Sequence, residues 1–229
     1  VSGCHLNPAV TLSQVLLRRM SIFQGVVYVV GQLLGAIFGA LVVFAITYTL
    51  IDPQTGLTLW HVIGGATNYV RPIDPSKADT FDNQAVAASF IGEMVGTGVL
   101  VFVVNAVGDG ERNAKDKHNP VLGPLIVGLT VFVANITLIP LTNCSINPAR
   151  SFGPAIVFGN NPSYVASEID SRMTQTPWSF MWLFWVAPCL GSVVATLLWQ
   201  YVLVAPDKRV YKLPALRRLG DREEMDESV

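Results

Sequence analysis

The amino-acid sequence predicts an all-α polytopic membrane protein built as an inverted repeat with two half-helices. Three observations predict this fold class: few charges, four long stretches almost free of charge, and a short motif that occurs twice. The 229 residues are 51% hydrophobic and 14% charged, whereas soluble domains carry about 25% charged residues. A soluble enzyme of this size is therefore disfavoured. The net charge of −1 also argues against a nucleic-acid partner, because such a protein needs a basic face.

The four charge-poor stretches are each long enough to cross a bilayer, which takes about 20 mostly apolar residues in a helix. We expect spans over about 22–50, 85–107, 120–141 and 179–204. Glu93 is the one charged residue within them. Short basic connections prefer the cytoplasm, so residues 109–118 and 207–229 are expected inside, and residues 51–84 and 159–178 outside. Buried helices of a large soluble protein are the alternative.

The sequence Asn-Pro-Ala occurs twice, as Asn7-Pro8-Ala9 and as Asn147-Pro148-Ala149. In both copies Asn is expected to cap a helix N-terminus and Pro to occupy the first helical position. Only about 10 to 13 helix-compatible residues follow each copy, too few to span a bilayer. Three spans separate the copies, and because three is odd, the two half-helices enter from opposite sides. This is an inverted-topology repeat whose broken helices meet at the midplane; two ordinary capped helices are the alternative.

The repeat is unequal at its beginning. Within the second half of the repeat two spans precede the second motif, whereas in the first half only six residues precede Asn7. We therefore expect this sequence to be an N-terminal truncation in which four of six spans are present and the first two are missing. On this interpretation residues 1–206 form one channel domain that is incomplete at its N-terminus, and residues 207–229 form a cytoplasmic tail.

These residues resemble the aquaporin (major intrinsic protein) family. The stretch 2–11 is similar to the family's first pore loop, the stretch 144–154 to its second, and Glu93-Met-Val-Gly-Thr97 to a motif of its fourth helix. The resemblance covers residues 1–206 and implies a fold of six helices and two half-helices. It also implies a homotetramer in a lipid bilayer, with one pore in each subunit.

The resemblance predicts a passive water channel without a cofactor or a metal. One alternative is a channel for a small neutral solute such as glycerol, urea or hydrogen peroxide, and another is a non-conducting junction or scaffold protein. An enzyme is not expected, because the sequence offers no acid/base pair, no activated nucleophile and no metal cluster. We expect the protein to lie in the plasma membrane, with an internal membrane as the alternative, and its C-terminus to face the cytoplasm.

Irregular backbone at membrane depth must line a wet cavity, because lipid cannot satisfy its polar groups. Asn7 and Asn147 are expected to direct amide N–H groups into this cavity, and the loop carbonyls to accept from water. These carbonyls belong to Gly3, Cys4, His5, Asn143 and Ser145. Glu93 is expected to accept N–H groups from a pore loop, with proton relay as the alternative. Arg150 is expected at the outer constriction, where it repels cations; a structural ion pair is the alternative.

The resemblance also bears on selectivity. It places Asn135 and Cys144 at the constriction with Arg150, and Asn135 stands where strict water channels usually have His. The residues typical of water-selective members are Ser151, Ala155, Phe184 and Trp185. Because Asn is shorter than His and stays neutral, we expect water as the main permeant, with measurable passage of hydrogen peroxide or urea.

Overall fold

The computed structural model describes residues 5–51, 58–59, 64–72, 82–109, 119–159 and 176–204. Its helices are α1 (Pro8–Leu16), α2 (Ile22–Tyr48), α3 (Asn83–Val107), α4 (Asn119–Thr142), α5 (Pro148–Phe158) and α6 (Met181–Leu198), which continues as a π-helical turn over Trp199–Leu203. A 3-10 turn lies at Gly64–Ala66. Residues 207–229, expected to form a tail, lie outside the described residues.

In the described ranges, four helices are long and apolar enough to cross a membrane: Ile22–Tyr48, Asn83–Val107, Leu122–Thr142 and Met181–Leu203. The four predicted spans are thereby confirmed to within a few residues. Local capping fixes two of their starts. The Ser21 hydroxyl accepts the Gln24 N–H at 3.2 Å while the Gln24 side chain accepts the Ser21 N–H at 2.9 Å, which is a capping box. The Asp82 carboxylate caps the N-terminus of α3 by accepting the Ala85 N–H at 3.3 Å.

The two predicted half-helices are also confirmed. α1 has 9 residues and α5 has 11, so they are about 14 and 17 Å long, well short of the roughly 30 Å of a hydrocarbon core. Each begins with a capping asparagine followed by proline. The Asn7 side chain accepts the Ala9 N–H at 2.9 Å, and the Asn147 side chain accepts the Ala149 N–H at 3.0 Å.

Each half-helix packs chiefly on a membrane-spanning helix of the other repeat. α1 packs more closely on α6 than on α2, and α5 packs chiefly on α2. A close backbone approach makes the second contact possible, because a Cβ atom at Gly153 would collide with the backbone of Ala36. Gly191 plays the same part between α6 and α3, where a Cβ atom would collide with the Met94 carbonyl. Larger side chains at either glycine would push the helices apart.

Buried polar contacts fix α1 against α3 and α6. Ser192 Oγ donates to the Ala9 carbonyl at 2.6 Å, and Thr196 Oγ1 donates to Ser13 Oγ at 2.7 Å. From α3, Asn105 Nδ2 donates to Ser13 Oγ at 3.0 Å. Ser13, Asn105 and Ser192 are fully buried. Small hydroxyl and amide side chains allow membrane helices to approach closely and bond across the interface, so α1 and its cap Asn7 are held firmly.

Candidate pore site

The two capping asparagines bond reciprocally where the half-helices meet. Asn7 Nδ2 donates to the Ile146 carbonyl at 2.8 Å, and Asn147 Nδ2 donates to the Leu6 carbonyl at 2.9 Å. Each amide therefore holds the carbonyl that directly precedes the other asparagine. Leu6 and Ile146 have φ angles of 53° and 44°, in the left-handed region that costs an L-residue roughly 1–2 kcal/mol. The same strained conformation at equivalent positions turns each carbonyl toward the opposite half.

Several pore-loop carbonyls accept hydrogen bonds from protein groups, whereas the sequence predicted that they accept from water. Gly3 and Cys4 lie outside the described residues. The Asn143 carbonyl accepts from the Arg150 guanidinium at 3.1 Å and from an amide of the 64–72 segment at 3.2 Å. The Leu6 and Ile146 carbonyls each accept one asparagine N–H. Since a carbonyl oxygen has two lone pairs, these last two keep one acceptor position each.

A cavity of about 680 Å³ opens beside the asparagine pair. Its polar lining comes from His5, Asn7, Asn135, Ser145, Asn147 and Arg150. Its apolar lining includes Val10, Leu100, Val104, Val107, Val127 and Val131. A molecule in this cavity therefore meets both fixed hydrogen-bonding groups and side chains that offer no hydrogen bond.

Glu93 anchors the second pore loop from α3. Its Oε1 accepts the Thr142 hydroxyl at 2.5 Å and the Ser145 N–H at 2.8 Å, while its Oε2 accepts the Ile146 N–H at 2.6 Å. The side chain is fully buried. A buried carboxylate needs such donors, because an unpaired one is very costly. Glu93 therefore fixes the loop backbone immediately before Asn147.

Arg150 lies at the same cavity, on the first turn of α5. Its Nη1 donates to the Ala66 carbonyl at 2.8 Å and to Asn68 Oδ1 at 2.7 Å, and its Nη2 donates to the Asn143 carbonyl at 3.1 Å. Within the described ranges, its hydrogen-bond partners are carbonyl and amide oxygens and include no carboxylate. The guanidinium is therefore held by dipoles that leave its positive charge in place.

The 64–72 segment is the part of the site that sequence reasoning missed. None of its residues is among the predicted site residues, yet this segment supplies two of the three groups that bind Arg150. It also runs along the end of α4, where Arg71 N–H donates to the Leu141 carbonyl at 3.1 Å. The sequence offered one signal, a Gly64-Gly65 turn followed by the polar pair Thr67-Asn68.

The structure brings Asn135 and Cys144 to the cavity with Arg150. Asn135 Nδ2 donates to the Val131 carbonyl of its own helix at 2.8 Å, which leaves its oxygen and a second N–H for other partners. Cys144 is a free, buried cysteine. Of the three, only Arg150 carries a charge.

The residues typical of water-selective relatives stand apart from this cavity. Ser151, Ala155, Phe184 and Trp185 are absent from its described lining. Ser151 Oγ donates to Asn68 Oδ1 at 2.8 Å, and Ala155 is buried. Phe184 is fully buried in the cluster between α3 and α6, and Trp185 packs edge-on against Phe152, with ring centroids 6.3 Å apart. Ala155, Phe184 and Trp185 therefore pack among the helices, whereas Ser151 bonds to Asn68, which in turn binds Arg150.

Comparison with known proteins gives consistent matches. Residues 1–199 match the family model described as "Major intrinsic protein". Aquaporin PIP2-4 of Oryza sativa subsp. japonica is 36% identical over 205 residues, which cover 90% of this chain and 60% of that protein. Probable aquaporin PIP2-8 of Arabidopsis thaliana is 36% identical over 205 residues, which cover 90% of this chain and 62% of that protein. The chain thus spans about three fifths of the length of these curated relatives.

Among solved structures, the chain is similar to the aquaglyceroporin from Plasmodium falciparum. The TM-score is 0.59 at 24% sequence identity, and the match covers 87% of this chain and 72% of that one. At this identity the likeness concerns the fold alone.

Proposed function

The chain belongs to the major intrinsic protein family, and from this premise we propose that it forms the conducting core of a passive water channel. Water moves in single file past Asn7 and Asn147 and past the Arg150 constriction, while ions and protons are excluded. The process needs no cofactor and no covalent chemistry. We assign the channel domain to residues 1–206, in a homotetramer of the plasma membrane with the C-terminus in the cytoplasm.

The reciprocal asparagine pair is the observation that carries this proposal. Each amide donates one N–H to the carbonyl of the opposite loop, at 2.8 and 2.9 Å. Its second N–H remains for a molecule in the cavity. Both amides line a cavity whose apolar lining is rich in valine. A water molecule that accepts from these two groups turns its lone pairs toward the polar wall. This orientation interrupts the chain of hydrogen bonds along which protons would pass.

Fixed positive charge supports the exclusion of cations. Each half-helix N-terminus acts as roughly half an elementary charge. Two of them about 4 Å from a cation raise its energy by about 4 kcal/mol at an effective dielectric constant near 20. Arg150 adds a full charge on the same cavity.

Osmotic shrinkage of proteoliposomes that contain the full-length gene product tests the proposal. We expect water permeability well above that of protein-free vesicles made from the same lipid. A non-conducting scaffold protein would give equal rates in the two preparations, and that result would overturn the proposal.

A channel for small neutral solutes is the second candidate, and Asn135 favours it. The Asn135 side chain lines the cavity together with Arg150, and it is smaller than the imidazole that strict water channels usually carry there. We therefore expect hydrogen peroxide or urea to pass alongside water.

Replacing Asn135 with histidine is expected to reduce this solute flux more than the water flux, because a larger ring narrows the cavity beside Arg150. Light-scattering uptake of urea and osmotic water flux, measured on the same vesicles, give the ratio. An unchanged ratio would remove Asn135 from the constriction. Glycerol flux comparable to that of dedicated glycerol channels would favour the second candidate over the first.

Mercuric ion is expected to block water flux through Cys144. This free cysteine lines the cavity, and its thiol binds a soft metal ion with release of its proton. Cys144→Ser should conduct water and resist the block. Cys189→Ser is the matched control, because Cys189 lies on α6 and is absent from the described lining of this cavity. Equal inhibition of Cys144→Ser and the wild type would move the mercury site elsewhere.

A further inference from the structure

We infer that the 64–72 segment latches Arg150 in place, and that Asn68 is the positioning residue for its guanidinium. This inference rests on the proposed water-channel function. It adds a determinant of ion rejection that lies outside both Asn-Pro-Ala motifs and about 80 residues before the arginine in sequence.

Asn68 uses every hydrogen-bonding position of its amide. Nδ2 donates to the carbonyls of Thr142 and Asn143 at 2.9 and 3.2 Å. Oδ1 accepts from Arg150 Nη1 at 2.7 Å and from Ser151 Oγ at 2.8 Å. An asparagine amide has two N–H donors and one oxygen with two lone pairs, so the side chain is saturated. It is 3% exposed, and its orientation is fixed by both ends of the amide.

The 64–72 segment and the second pore loop donate hydrogen bonds to each other. Asn143 Nδ2 donates to the Thr67 carbonyl at 2.8 Å, in return for the bond that the Asn143 carbonyl receives from Asn68. Backbone bonds continue the pairing, since Arg71 N–H donates to the Leu141 carbonyl at 3.1 Å. The segment and the pore loop are therefore bonded to each other, and Arg150 is bound to both of them.

Backbone strain coincides with one of the Arg150 contacts. Ala66 has a φ angle of 56°, a left-handed conformation that disfavours a residue with a Cβ atom. Its carbonyl is the group that accepts Arg150 Nη1 at 2.8 Å. Strained residues persist where surrounding structure over-determines them, often at functional sites. Here the turn presents the carbonyl to the guanidinium.

The chemistry of Asn68 explains why the latch suits a cation-rejecting site. A carboxylate at this position would bind the guanidinium more strongly, but it would neutralise the charge that faces the cavity. It would also set an anion against the carbonyls of Thr142 and Asn143, which now receive N–H groups. The neutral amide orients Arg150 and leaves its charge available to repel cations.

Two variants and a control test the latch in proteoliposomes of the full-length gene product. Asn68→Asp introduces the neutralising charge, and Asn68→Ser shortens the side chain so that it no longer reaches its partners. Asn83→Asp makes the same chemical change at an exposed position on the first turn of α3. Osmotic water flux and the leak of protons and potassium are measured on the same vesicles.

We expect Asn68→Asp to keep conducting water while its cation leak rises at least about tenfold, the effect of 1.4 kcal/mol on a barrier. Asn68→Ser should leak less than Asn68→Asp but more than the wild type, because Arg150 keeps its charge and loses its position. Asn83→Asp should match the wild type in both measurements.

The ratio of leak to water flux separates positioning from folding. A residue that only stabilises the fold would, when replaced, lower water flux and leave this ratio unchanged, and that result in both Asn68 variants would overturn the inference. If Asn68→Asp is not recovered in the membrane, Asn68→Ser decides alone by the same ratio. A wild-type protein that fails to conduct water would instead count against the proposed function.

Discussion

Replacing Arg150 with valine is expected to preserve water flux and to open the pore to protons or small cations. The substitution removes the full positive charge from the cavity that the two asparagines share. A unit charge about 4 Å from a cation contributes about 4 kcal/mol at an effective dielectric constant near 20. Water in the cavity screens part of this energy, so we expect a cation leak at least about tenfold above the wild type, which corresponds to 1.4 kcal/mol.

Arg150→Lys is the matched variant, because lysine keeps the charge and loses the planar fork that binds several acceptors at once. If charge is the barrier, the lysine variant should leak far less than the valine variant in a proton- and potassium-flux assay. Equal leak from both would show that shape, rather than charge, excludes ions. A valine variant that leaks no more than the wild type would remove Arg150 from the barrier altogether.

Replacing Glu93 with glutamine is expected to destabilise the protein and to lower its water flux. The carboxylate accepts from Thr142, Ser145 and Ile146, with two donors on one oxygen and one on the other. Glutamine has one oxygen and an NH₂ group, so whichever way the amide turns, at least one buried donor faces another donor. An unsatisfied buried group costs about 1–3 kcal/mol, and more where the lost acceptor is charged.

Thr97→Val controls for this prediction on the same helix, one turn further along. Among the described residues, the buried Thr97 hydroxyl has no hydrogen-bond partner, so its removal should be neutral or slightly stabilising. Thermal unfolding in detergent should show a clear loss for Glu93→Gln relative to Thr97→Val, and vesicle swelling should show lower water flux. Similar stability and flux in the two variants would contradict the anchoring role of Glu93.

Much of the fold could be predicted from sequence because its determinants are local. The length of the uncharged stretches predicts the four spans. The start of each half-helix is predicted by its own capping residue, Asn7 or Asn147. The Glu93 contacts also follow from a simple requirement. A carboxylate in a span must find donors, and an irregular loop at membrane depth has backbone N–H groups to offer.

The remainder depends on contacts between residues far apart in sequence. Asn68 and Ala66 bind Arg150 across 82 and 84 positions, and the Gly64-Gly65 turn before them does not indicate which residue they bind. The left-handed conformations of Leu6 and Ile146 are equally hidden, because both are ordinary apolar residues. Phe184 illustrates the reverse: its identity fits the resemblance to water channels, but the side chain lies in the helix core and away from the cavity.

The paired half-helices are expected to pass water and to stop protons. The most direct test measures both fluxes on one preparation of vesicles that contain the full-length gene product, with an osmotic step for water and a pH-sensitive dye for protons. We expect water permeability well above that of protein-free vesicles, together with a proton flux no higher than theirs. Water permeability equal to that of protein-free vesicles, or a proton flux that rises together with the water flux, would show that the half-helices do not form a proton-excluding water pore.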